Sequence, residues 1–563
     1  MRKFWLLGAL LMGCQAVPNG VSTPLGVDIP GLPRSAELIV SPATPRALPL
    51  LTQRYRAEVR DTLTVNGQTW HLVSMDLSRS PVTLRQDLLA QALPAGAAFP
   101  VLADGDQEAT AIAWLDLMAH HRQEFQGLHF NSEAALPSAP AFNDLDFRTG
   151  DAQAGWWRKV TRVEEAWNYS LGTGARAGYI DLGFRAGHPE VNHRLILNGR
   201  NNQTQQYRQE PNVIDKPTGD HGMASLLVGF AERDNFLPTV GVAPNAQVVP
   251  YVASSTWEVA RAVLAAAQDQ PDVIGMNFAW PLYPAWEQEG DYAQHRLLRE
   301  VLKTVNRLNI PMVVPAHNYA EPITGGPRSW FPVSLTEEAG FDNLIGVGGV
   351  QSDQKLNVTA WFSPQLLTGF NSRGSNYGAE LLWAPASSLD IANGDPARVT
   401  PGNMSGTSAS CPFTTAIVTL IKSRNPALTG AEVKAILRQT ARHVDAAALF
   451  GRPGHTVPMI QADAAVREAL RRVSPEALRS AEQRVTLTGT LRRNQDDTRD
   501  LLTEQGTYRL IPTLARHYPG GRDPLDGKPA TIRGWQGLPG MQAHELEGLT
   551  VQAPGTDHSQ LRF

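Results

Sequence analysis

Between residues 141 and 472, short apolar runs alternate with amphipathic stretches, and this alternation constrains the fold more than any other feature of the chain. Strands that alternate with helical patterns form βαβ units, so the segment predicts an α/β domain with a mostly parallel sheet flanked by helices. At 563 residues the chain also has room for further domains on either side. With 42% apolar and 18% charged residues it can bury a sizeable core, and its 48 Gly and 41 Pro point to many turns.

The N-terminus carries Arg2 and Lys3, then an apolar run from Phe4 to Met12 that is too short to span a bilayer. Residues 1–13 therefore read as a secretory signal peptide, which predicts export to the cell envelope or beyond. The end of that run, Leu11-Met12-Gly13-Cys14, resembles the lipobox of bacterial lipoproteins, in which the cysteine becomes the lipid-bearing first residue. The resemblance implies membrane attachment through a lipid anchor at Cys14. Residues 14–50 are rich in Pro, Gly, Ser and Ala and read as a lipid-anchored linker.

Residues 51–135 form a small α+β unit in this reading. Short alternating runs flank Asn66-Gly67, a hairpin signal, and helical patterning follows around residues 109–122. The Pro-rich Leu136 to Pro140 separates the unit from the α/β domain. After a linker-like stretch from Val473 to Glu482, residues 483–563 read as short strands between Gly, Pro and Asp turns, an all-β module of barrel or sandwich type, OB-like if a barrel. Cys14 and Cys411 are the only cysteines, so no disulfide framework supports the fold. A net charge of −4 excludes a nucleic-acid footprint.

Three segments of the α/β domain carry chemistry. Ala177 to Gly183 is an apolar strand that ends on Asp181 and turns at a glycine, and ligand sites in open α/β sheets gather at such carboxyl ends. Asp220-His221-Gly222 opens a small-residue, apolar helix and puts an imidazole at its start. Gly402 to Pro412 is a glycine-hinged turn that sets Ser408 at the N-terminus of a buried helix, where free N–H groups favour a developing oxyanion. A serine there is commonly only a cap and a lone histidine commonly structural, so the weight lies in the combination. Gly172 to Ala177 precedes its strand and so fails as a dinucleotide fingerprint.

The order Asp181, His221, Ser408, each in its own local frame, resembles the subtilase family of serine peptidases, for which this chain order is characteristic. Further matching segments run from Phe142-Asn143-Asp144 through Gly241 to Ala246, Asp272 to Asn277, Val313 to Asn318, Asn343 to Gly348 and Phe370 to Gly374, so the resemblance covers the whole α/β domain. It implies a subtilisin-like fold and a serine endopeptidase acting on proteins or peptides. Asp181, His221 and Ser408 would be the triad and Asn318 the oxyanion donor. The pocket for the residue before the scissile bond would lie between Asn277-Phe278-Ala279-Trp280 and Pro315-Ala316-His317. The family usually has glycine where Ala279, Trp280 and His317 stand, so a narrow pocket is expected. The resemblance also implies that residues 51–135 act as a propeptide cut near Leu136 to Pro140.

Departures from the family pattern fall beside the triad. Leu182 replaces the usual small hydroxyl residue, Met223-Ala224 replaces Thr-His, and Phe413 replaces a His. All four reactive positions remain, which argues for an active enzyme over an inactive surface-binding lipoprotein on the same scaffold. Cys411 reads as a buried filler near the nucleophile. His443 and His455 follow Ser408 as an α/β-hydrolase order would require, but Ser410 stands where that elbow needs glycine. Neither His544-Glu545 nor His120-His121 has metal-ligand spacing, so no metal ligand is assigned. The chemistry requires no cofactor. Structural calcium on loop oxygens is compatible with the resemblance, without ligands that the sequence names, and a monomer is expected.

Overall fold

The computed structural model describes residues 33–76, 155–185, 219–232, 240–282, 296–326, 328–353, 355–363, 373–394, 402–482, 485–494, 499–511, 526–536 and 545–552, with 110, 113, 114, 116, 117, 120–132, 188, 190, 191 and 195. The signal peptide, Cys14, Leu136 to Pro140, Phe142 to Asp144 and His544 lie outside the described residues.

The N-terminal unit is a four-stranded antiparallel sheet made of β1 (Pro33–Pro42), β2 (Glu58–Val65), β3 (Gln68–Ser74) and β4 (Phe125–Ser132), in the order β2-β3-β1-β4. Asn66 and Gly67 form the β2–β3 turn at positive φ of 53° and 78°, the backbone a two-residue hairpin demands. The linker expected over 14–50 is corrected here: β1 lies inside it, between β3 and β4, and a helix covers Ala47–Tyr55. Prolines at both ends of β1 hid the strand, and they sit where its ladder with β4 shifts register.

The α/β domain holds a nine-stranded sheet. Its parallel centre runs β13 (Leu382–Pro385), β11 (Leu344–Ser352), β9 (Met312–Pro315), β7 (Val273–Met276), β5 (Arg176–Asp181), β6 (Gln247–Val252). Among the described residues the antiparallel pairings of this sheet are β12 (Val358–Ala360) with β11 and β16 (Arg442–Asp445) with β17 (Thr456–Met459), while β16 and β17 join β12 and β13 in parallel. Every residue of β7, β9 and β13 is buried, which is why these strands read as unbroken apolar runs. Two short ribbons lie beside the sheet: β8 (Trp280–Leu282) with β10 (Ser329–Phe331), and β14 (Leu389–Ile391) with β15 (Gly402–Met404).

Four helices matter for the site: α1 (Gly219–Phe230), α2 (Thr256–Asp269), α3 (Arg296–Arg307) and α4 (Thr407–Arg424). All residues of α4 are buried, so it is the central helix of the domain. The N-terminal sheet lies on α2 and α3. Asp61 accepts from Trp257 Nε1 at 3.1 Å and Arg261 at 2.5 Å, while Asn66 donates to Glu300 Oε2 at 2.8 Å.

The C-terminal module is a closed five-stranded barrel, β18 (Val485–Arg493), β19 (Arg499–Thr503), β20 (Gly506–Ile511), β22 (Glu545–Gln552), β21 (Pro529–Gln536). Of the two expected all-β forms it is thus the barrel, with the five strands of OB-like barrels. The linker expected from Val473 to Glu482 is helical over Pro475–Glu482. Buried Trp535 seats the barrel against the far end of α4, under the Arg424 guanidinium at 5.6 Å.

Candidate active site

Adjacent parallel strands bring the expected site residues together. Asp181 ends β5, Asn277 follows β7 and Asn318 lies three residues past β9, so three neighbouring carboxyl ends share one crevice. The helices α1 and α4 add His221 and Ser408 from their first turns.

Asp181 is fully buried, and its Oδ1 accepts from His221 Nδ1 and from the Leu182 N–H, both at 2.8 Å. Because Nδ1 donates, the imidazole holds its basic lone pair on Nε2, which has no hydrogen-bond partner among the described residues. Gly222 lets the histidine helix approach this strand end. A Cβ there would stand 2.0 Å from Gly183 O and 3.1 Å from Asp181 Cβ.

The turn before Ser408 depends on Gly406, at φ 89°, whose absent Cβ leaves room for Asn318 Nδ2 at 3.2 Å. Asn318 Oδ1 accepts from the Thr407 N–H at 2.9 Å and Thr407 Oγ1 at 3.0 Å. Both donors fix the amide's oxygen, and its Nδ2 edge lies against Gly406. Thr407 Oγ1 also accepts the His317 N–H at 3.0 Å, tying the two loops together.

Pro412, in the second turn of α4, removes the N–H that would bond the Ser408 carbonyl four residues back. Asn277 Nδ2 donates to that carbonyl instead at 3.1 Å, and to Ser225 Oγ at 3.1 Å. The buried Asn277 side chain therefore holds the backbone of Ser408. This differs from the pocket-wall position expected of it, because the open carbonyl at Ser408 lies within its reach.

The other expected pocket residues are all buried: Phe278, Ala279, Trp280, Ala316 and His317. Trp280 packs against Phe278 and Phe331, with ring centroids 6.3 and 6.1 Å away. His317 stacks on Trp330 at 4.4 Å and on Tyr319 at 5.0 Å. Trp330 pairs with Pro281 across the β8–β10 ribbon, so it joins the two expected walls. The Arg328 guanidinium lies 4.7 Å over Trp330 and is paired with Glu321. Burial, with the Arg328 charge nearby, lowers the His317 pKa to about 3 and keeps the ring neutral.

Cys411 Sγ lies near the carbonyls of Met276 at 3.7 Å and Val313 at 3.6 Å, and burial pushes its thiol well above the usual range. It is unsuited to nucleophilic work. Phe413 packs edge-on to Trp157 at 5.9 Å. Four contributors escape sequence reading: Ser225, Thr407, Trp330 and Asn376, whose Oδ1 accepts the Tyr319 and Glu321 N–H groups. Only Ser225 leaves a signal, its spacing of one helical turn after His221. Among the described residues no group of three or more His, Cys, Asp or Glu could hold a metal ion, and no helix is long and apolar enough to cross a membrane.

A model of the subtilase family matches residues 172–469. Mycosin-1 of Mycolicibacterium smegmatis is 24% identical over 347 residues, covering 52% of this chain and 68% of that protein. Among solved structures, the epidermin leader peptide processing serine protease of Staphylococcus aureus matches with a TM-score of 0.50 at 14% identity, over 77% of this chain and 100% of that one. Fervidolysin from Fervidobacterium pennivorans, a keratinolytic enzyme related to subtilisin, matches with a TM-score of 0.50 at 13% identity, over 94% of this chain and 76% of that one. At these identities the two structures speak for the fold, a subtilisin-like α/β architecture.

Proposed function

Because the chain belongs to the subtilase family of serine peptidases, we propose that this serine endopeptidase works through Asp181, His221 and Ser408, with Asn318 as oxyanion donor, and that it is exported and tethered by a lipid at Cys14. The observation that carries the reading is the buried Asp181–His221 pair, 2.8 Å between Oδ1 and Nδ1, which leaves Nε2 as the free base.

A serine hydroxyl is a poor nucleophile until a base takes its proton. His221 Nε2 accepts the Ser408 proton as Oγ attacks the scissile carbonyl carbon, and the carbonyl electrons move onto oxygen. Asp181 holds the Nδ1–H tautomer and stabilises the imidazolium that forms. The resulting oxyanion receives the Asn318 amide and lies near the N-terminus of α4, where backbone N–H groups favour negative charge. Collapse of the intermediate expels the amine, which takes its proton from His221. Water repeats the sequence on the acyl-enzyme and restores Ser408.

Bulky residues before the scissile bond are disfavoured in this reading. Trp280 and His317 stand where the family usually carries glycine, and Trp330 stacks on His317; overpacking costs about 1–3 kcal/mol per misfit, roughly 5- to 150-fold in kcat/KM. The N-terminal sheet on α2 and α3 supports a propeptide role for that unit.

A fluorophosphonate probe tests the assignment. Labelling at Ser408, abolished in Ser408→Ala and in His221→Ala, is the expected result. A folded protein that takes up no probe would instead support a surface-binding lipoprotein without turnover.

A further inference from the structure

We infer that Ser225 is a positioning residue of the catalytic machinery, supplying from the histidine's own helix the hydroxyl that position 182 lacks. The inference rests on the reading of Asp181, His221 and Ser408 as the triad. Asp181 is fully buried, so both carboxylate oxygens need donors from the protein. Oδ1 has two, the His221 Nδ1–H and the Leu182 N–H, each at 2.8 Å. Leu182 has no hydroxyl to give Oδ2. Ser225 Oγ donates to Oδ2 at 2.9 Å, and Asn277 Nδ2 stands farther off at 3.4 Å.

His221 and Ser225 are four residues apart on α1, so they lie on one helical face. A single rigid element thereby grips both oxygens of the carboxylate, the imidazole on one and the hydroxyl on the other. This fixes rotation of the carboxylate about its Cβ–Cγ bond and so the angle at which it meets Nδ1. The hydroxyl's direction is set in turn. Asn277 donates to Ser225 Oγ at 3.1 Å, filling a lone pair and leaving the Ser225 proton for Asp181. Since Asn277 also holds the Ser408 carbonyl at 3.1 Å, a second polar connection joins the aspartate to the nucleophile's backbone, parallel to the triad.

Removing the Ser225 donor leaves more of the carboxylate charge to the imidazolium. The acid side of the kcat/KM profile should therefore move to higher pH. The expected loss in kcat for Ser225→Ala is about 10- to 100-fold, the range for a hydrogen bond to a charged group.

The test compares wild type, Ser225→Ala and the double variant Ser225→Ala with Leu182→Ser, measuring kcat, KM and the pH profile on one peptide substrate. The inference expects a fall in kcat with little change in KM, an upward shift of the acid limb, and recovery to within about threefold of wild type when Leu182→Ser returns a hydroxyl beside Asp181. Activity of Ser225→Ala within twofold of wild type would overturn it, as would a loss with an unmoved acid limb and no recovery. Should Ser225→Ala not fold, the double variant decides: folded and active supports the inference, unfolded overturns it. Absence of fluorophosphonate labelling in wild type would instead strike the triad assignment.

Discussion

Thr407→Val probes how Asn318 is aimed. The Thr407 hydroxyl has two partners, donating to Asn318 Oδ1 at 3.0 Å and accepting the His317 N–H at 3.0 Å. Valine keeps the shape and loses both. His317 is 1% exposed, so its N–H would be left buried without an acceptor, at a cost of about 1–3 kcal/mol. The lost bond to Asn318 adds a net of about 0.5–1.5 kcal/mol. Folding stability should thus fall by roughly 2–4 kcal/mol. The effect on catalysis should be smaller than that of deleting the amide, because the Thr407 N–H still holds Asn318 Oδ1 at 2.9 Å. One bond's worth of lost orientation is about 2- to 13-fold in kcat, against roughly 10²–10³ for Asn318→Ala, the range for losing one oxyanion-hole donor. Turnover of a peptide amide, normalised to sites titrated by a fluorophosphonate, gives the first quantity, and unfolding in a Ser408→Ala background gives the second. A Thr407→Val enzyme as impaired as Asn318→Ala, or one with unchanged kcat and stability, would show that the Thr407 hydroxyl does not aim Asn318 in this way.

His317 makes a pH prediction with a definite sign. Its pKa is lowered from the usual 6.5 to about 3 in the fold, so the unfolded chain binds the proton more readily. The contribution is fully present above about pH 6.5 and is lost as pH falls toward 3, so unfolding midpoints of His317→Gly should fall less steeply with acid than those of wild type. The same variant suits the φ of 79° at this position and should admit larger residues before the scissile bond, which a peptide library would register as a shift from Ala, Ser and Gly toward Leu and Phe. Purified Ser408→Ala should run at full length while wild type shows a species shortened near Leu136 to Pro140; equal sizes on a gel would argue against self-cleavage. Cys14→Ser should abolish lipid attachment, read as loss of membrane-fraction protein and of incorporated labelled fatty acid; unchanged partition would refute the anchor.

Local chemistry specifies much of this fold. Unbroken apolar runs such as Val273–Met276 and Met312–Pro315 specify strands covered on both faces, and Asn66-Gly67 specifies its hairpin, because these patterns act over a few neighbouring residues. Asp181, His221, Asn318 and Ser408 were legible for the same reason: each sits in a distinctive frame of glycines and apolar residues that its close packing requires. Boundaries were less legible. The prolines of β1 read as linker because only pairing with β3 and β4 stabilises that strand. The partners of the candidate site residues come from distant parts of the chain. Ser225 meets Asp181 across 44 positions, Thr407 meets Asn318 across 89 and Asn277 meets the Ser408 carbonyl across 131. Serine, threonine and asparagine are common residues, and a hydrogen bond selects among them by position and direction in space, which the order of the chain does not encode locally. Likewise nothing around Trp330 announces its neighbours; the β8–β10 ribbon sets it opposite Pro281 and against the ring of His317.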